Sequence, residues 1–141
     1  HYPHHLPSAC YLPQESDRLA EFLDHVDAVV SLHGYGRMGC GAQLLAGWRN
    51  RALAEHLAQH VMIPGYRVVT DLGAIPLELR GQHPGNPVNR ANGVQLELPS
   101  RVRGLSPRSP LPDADGLSPV TSALVAGLAA TARSWAPPSG R

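Results

Sequence analysis

The chain has 141 residues and a formal net charge of +1, with 12 basic residues against 11 acidic ones. So even a balance provides no field to gather nucleic acid or an anionic membrane surface, and the length suits one domain with its own core. No apolar run approaches the roughly 20 residues that span a bilayer as a helix, and Cys10 and Cys40 are too few for a disulfide framework and are expected unpaired.

Residues 1–15 are broken by Pro3, Pro7 and Pro13, and their His1, His4 and His5 have no rigid element to hold a tetrahedral metal geometry. Ser16 is a helix cap, followed by Leu19, Phe22, Leu23 and Val26 at helical spacing. The apolar run Ala28–Leu32 reads as a buried strand, and His33 with Gly34 and Gly36 marks the turn at its end. A histidine there either caps the turn or faces a ligand at the carboxyl edge of a parallel sheet.

Residues 42–46 read as a second strand, and 48–61 as a helix with Leu53, Leu57 and Val61 on one stripe. His56 and His60 stand four apart on that helix. The spacing suits zinc, but the segment lacks the glutamate of a His-Glu-x-x-His motif, and a solvated pair on the outer face is expected. Tyr66–Thr70 is a third strand. The Gly- and Pro-rich stretch 72–88 reads as a long loop whose donors Arg80, His83, Asn86, Asn89 and Arg90 suit carboxylates and amide carbonyls. Residues 93–98 alternate apolar Val94, Leu96 and Leu98 with polar Gln95 and Glu97, a strand with one apolar face. Glu97 is thus a solvated edge charge or a carboxylate aimed into a cleft, where burial raises its pKa towards that of a general base. Pro119 opens a last helix striped by Val120, Leu124 and Leu128, in which Gly127 permits close packing.

Three stretches in order, Ser31-Leu-His-Gly-Tyr-Gly-Arg37, Gly81-Gln-His-Pro-Gly-Asn-Pro-Val-Asn-Arg90 and Gly93-Val-Gln-Leu-Glu-Leu-Pro99 with Arg101, resemble the poly-γ-glutamate hydrolase family. The resemblance implies a zinc-carboxypeptidase-like α/β fold: a three-layer sandwich around a mainly parallel mixed sheet, in one domain over 1–135 with a tail at 136–141. It implies a zinc-dependent amidohydrolase whose substrate is poly-γ-glutamate or a related γ-glutamyl amide, with no nucleic-acid or membrane partner. His33 matches a zinc ligand, and Glu97 the general base on the zinc-bound water, whose pKa zinc lowers to about 7. Asn86, Asn89 and Arg90 match the groups that grip a substrate carboxylate, and Arg37 is a further candidate for that task. The family's upstream His-Gly-Gly-x-x-Glu motif does not occur in the sequence. The resemblance therefore implies either an incomplete copy lacking its first strand or strands, with zinc bound only if upstream ligands exist, or a non-catalytic carboxylate- or glycan-binding relative on the same scaffold.

Overall fold

The computed structural model describes residues 16–89, 92–106, 109, 111–114 and 116–138. His1, His4, His5, Cys10 and Arg90 lie outside the described residues. Helix α1, Asp17–His25, begins where the Ser16 hydroxyl accepts from the Leu19 amide at 3.3 Å. Of its expected stripe, Leu23 is buried while Phe22 is half exposed.

Four strands follow: β1 Val30–Tyr35, β2 Gln43–Gly47, β3 Arg67–Val69 and β4 Val94–Pro99. They form one mixed sheet in the order β1-β4-β2-β3. The β1/β4 and β2/β3 pairs are parallel, and β2/β4 is antiparallel. The fold is thus mixed α/β. The strand expected at residues 28–32 is displaced toward the carboxyl end, so His33 lies inside β1 instead of at its end. Gly34 and Tyr35 carry the β1/β4 ladder two residues past it.

Helix α2, Arg51–His60, and helix α3, Pro119–Ser134, pack on one face of the sheet. The α2 helix starts three residues later than its apolar pattern suggests. Trp48 sits in a left-handed turn with φ of 75°, and the Asn50 side chain then accepts from the Leu53 amide at 3.0 Å. Leu44, Leu57, Val94 and Leu96 are fully buried between sheet and helices. Each contributes about 1.5–3 kcal/mol by leaving water. Gly127 brings α3 onto the end of α2: a Cβ there would lie 2.7 Å from the Val61 Cα.

The second face of the sheet carries Ser31, His33, Tyr35, Leu45, Gln95 and Glu97. Among the described residues it is covered not by a helical layer but by the segment after β3. This segment is compact, with short 3-10 turns at Leu72–Ala74, Leu77–Leu79 and Pro87–Asn89. Ile75, Leu72 and Leu79 pack there with Tyr35, Leu45 and Val69. With helices on one face and this segment on the other, all six residues of β4 are buried, polar ones included. No helix among the described residues is long and apolar enough to cross a membrane.

Candidate functional site

Parallel pairing of β1 with β4 sets His33 opposite Glu97 and Ser31 opposite Gln95. Residues in register on neighbouring strands point to the same face, so the imidazole and the carboxylate share one pocket. His33 Nδ1 is 3.9 Å from Glu97 Oε1, too long for a hydrogen bond. The other ring nitrogen, Nε2, is 2.8 Å from the Ser31 hydroxyl.

Glu97 is 4% exposed. Its Oε1 accepts from Gln95 Nε2 at 2.7 Å, while its Oε2 is buried with no hydrogen-bond partner among the described residues. Burial raises the Glu97 pKa above the ordinary carboxylate value, against the opposing pull of the Gln95 amide and the Arg103 guanidinium. Burial also lowers the His33 pKa, helped by His83 nearby, so the ring is neutral at pH 7. A neutral imidazole beside a carboxyl group of raised pKa can pass protons between a reacting group and the protein.

A chain of amides fixes the carboxylate. Asn86 Nδ2 donates to Gln95 Oε1 at 2.5 Å and to the Gly81 carbonyl at 2.9 Å, and Asn86 Oδ1 accepts from the Val88 amide at 3.2 Å. With its oxygen thus engaged, Gln95 presents its NH2 to Glu97. Gly81 makes this docking possible. Its φ is +74°, and a Cβ there would lie 2.9 Å from both Cβ and Oε1 of Gln95.

His33 and Glu97 converge. The Asn86 side chain does not line an open surface; it is 2% exposed and spends its amide inside the protein. Its amide nitrogen is engaged by the Gly81 carbonyl and by Gln95 instead of facing solvent. Exposed Asn89 donates to the carbonyls of His83 and Pro84, at 3.1 and 3.0 Å, and so shapes the loop. Arg37 forms a surface ion pair with Glu78.

The pocket also contains His83, already marked as a loop donor, and groups that residue patterns did not single out. Gln95 and Ser31 were legible only as polar residues two positions before Glu97 and His33. Arg103 lies beyond the end of β4, donates to the Tyr35 carbonyl at 3.4 Å, and brings a positive charge near Glu97. His83 has a buried Nε2 without a partner among the described residues. Tyr35 donates to the carbonyls of Cys40 and Gln43 at 2.5 and 2.7 Å, and burial pushes its pKa up to about 12.

Zinc finds an incomplete donor set here. His33 Nδ1 is available beside Glu97, but among the described residues no group of three His, Cys, Asp or Glu side chains could hold a metal ion. These residues do not make a zinc site by themselves.

Fold and pocket define an α/β protein with a buried carboxyl group beside a partly buried imidazole on the loop-covered face of a mixed sheet. The family model for poly-gamma-glutamate hydrolase matches residues 1–106, and the chain belongs to that family. A solved structure described as YNDL-apo (zinc-free) has a similar fold, with a TM-score of 0.60 at 21% identity. The match covers 92% of this chain and 63% of that one, so the chain spans less than two thirds of that structure's length. No curated protein matches.

Proposed function

We propose that this chain carries the proton-transfer side of a hydrolytic centre for γ-glutamyl amide bonds, with poly-γ-glutamate as the substrate class suggested by the family's name. The observation that carries the reading is the in-register His33/Glu97 pair, with one carboxylate oxygen held by Gln95 and the other buried and unpaired. In this reading Glu97 is the general base. Its free Oε2 takes the proton of the attacking water and returns it to the leaving amine. The Asn86–Gln95 chain orients Glu97, and the covering loop limits water around the carboxyl group, which keeps its pKa raised. Arg103 belongs to the proposal as a rim group for the carboxylates that a γ-linked polymer carries on every residue, together with Arg37 once its ion pair with Glu78 opens and Asn89 once its bonds to the His83 and Pro84 carbonyls open. Zinc at His33 belongs to it only with donors beyond the described residues.

The test is depolymerisation of poly-γ-glutamate, followed as loss of chain length, by the protein and by Glu97→Gln. The proposal expects cleavage to fall by about 10²–10⁴-fold in the variant while polymer binding persists. Binding without cleavage by the unmodified protein would favour the non-catalytic carboxylate-binding reading instead. Unchanged cleavage in the variant would remove Glu97 from the chemistry.

A further inference from the structure

Away from the Glu97 pocket, a second group of polar side chains gathers where the carboxyl ends of α2 and α3 meet. His56 and His60 do not lie on an open outer face: both rings turn toward the last turn of α3. His56 Nε2 is 3.0 Å and His60 Nε2 is 3.2 Å from one atom, the Ser134 Oγ. The ring centroids are 4.4 Å apart, and the Trp135 ring lies 5.4 Å from that of His56. Close packing at Gly127 holds the two helix ends together and so fixes the convergence.

The hydrogen bonds fix which ring nitrogens face the shared atom. His60 Nδ1 is 2.9 Å from the His56 carbonyl, which can only accept, so the ring proton sits on Nδ1 and Nε2 of the neutral ring carries a lone pair. Ser134 has one hydroxyl proton but three neighbours in range: the two Nε2 atoms and the Ala130 carbonyl at 2.8 Å. The Nε2–H tautomer of His56 donates to the hydroxyl oxygen, and the hydroxyl proton is shared between the His60 lone pair and the Ala130 carbonyl. Two imidazole nitrogens thus point at one small, solvent-reachable spot, separated by a single hydroxyl. The His60 Nδ1–H bond to a backbone carbonyl is also the contact that orients metal-bound histidines and strengthens them as ligands.

We infer that His56 and His60 form a surface site for a divalent transition metal of the imidazole-preferring class. The two Nε2 atoms are the ligands, and the ion displaces the Ser134 hydroxyl from between them. Two nitrogen donors without a carboxylate exclude Mg²⁺ and Ca²⁺, which demand oxygen, and rank Cu²⁺ above Ni²⁺ and Zn²⁺. The remaining coordination positions are open to water. The inference is independent of the Glu97 pocket.

Trp135 supplies the readout, because Cu²⁺ held by His56 lies against its ring and quenches its fluorescence. Trp48 precedes the opposite end of α2, about 15 Å away along the helix, and serves as an internal reference. The experiment titrates CuCl2 into the full chain, with NiCl2 and ZnCl2 as competitors. Expected are saturable quenching of Trp135, a loss of roughly tenfold or more in apparent affinity in His60→Ala, and retained quenching in Ser134→Ala. Circular dichroism confirms that each variant is folded. Absence of quenching in the unmodified protein, or quenching unchanged in both His56→Ala and His60→Ala, overturns the site. Loss of quenching in Ser134→Ala overturns the assignment of the two imidazoles as its ligands.

Discussion

Replacing Asn86 with alanine separates a residue that holds the site together from one that touches substrate. The truncation removes three hydrogen bonds, to Gly81, Gln95 and Val88. At about 1 kcal/mol net for each, the loss is about 3 kcal/mol. The Gln95 oxygen and the Val88 amide are left without these partners in a buried region, so the figure should not fall below about 2 kcal/mol. For a chain of this size that is a fall of about 10 °C in Tm. Urea unfolding followed by circular dichroism measures it directly, with a lower midpoint and an unchanged slope. Cleavage should weaken through kcat, since Gln95 becomes free to turn away from Glu97. A shift under about 0.5 kcal/mol together with a raised KM would refute this reasoning and return Asn86 to the substrate.

Three further outcomes follow from the same packing. Gly81→Ala places a methyl group against Gln95 at positive φ, and should cost about 1–3 kcal/mol in a urea melt while slowing cleavage. Tyr35→Phe loses its donations to Cys40 and Gln43 and leaves both carbonyls without that donor, a destabilisation of about 1–3 kcal/mol by the same assay. Glu97 adds a pH signature. Its folded pKa is raised above the ordinary value of 4.5, so between the two values the folded state holds a proton that the unfolded state has lost. Its contribution is therefore complete below 4.5 and declines as pH rises through the folded value. His33 opposes it: its pKa is lowered from 6.5, so its contribution is complete above 6.5 and declines as pH falls toward the lowered value. Arg103 also faces Glu97 and tempers the carboxyl effect. Glu97→Gln should abolish the declining limb and gain stability relative to the parent at pH 7, which melts across pH 4–8 would reveal.

Much of the scaffold was legible because it is local. Ser16 caps α1 and Pro119 opens α3 as the sequence indicated, and Val94, Leu96 and Leu98 fall on one buried face. The pairing was not legible. Strands β1 and β4 are about 60 residues apart in sequence, and nothing local sets the register that joins His33 to Glu97 or makes β2 antiparallel to β4. The alternation in β4 left Glu97 as either a solvated edge charge or a carboxylate aimed into a cleft, and Gln95 and Glu97 are as buried as the leucines. The segment 72–88, which reads as a long loop, folds into short turns over them. The burial of Asn86 was hidden for the same reason. A polar residue in a Gly- and Pro-rich stretch looks available to a ligand until the loop is docked and its amide spent.

The account rests on His33 and Glu97 acting as one centre, and a double-mutant cycle in kcat/KM on a γ-glutamyl oligomer, read as released amine, tests that most directly. If the two act together, His33→Ala and Glu97→Gln should each be severe, and the double variant little slower than the worse of the two. Losses that simply add, or a single variant that cleaves as fast as the parent, would contradict it.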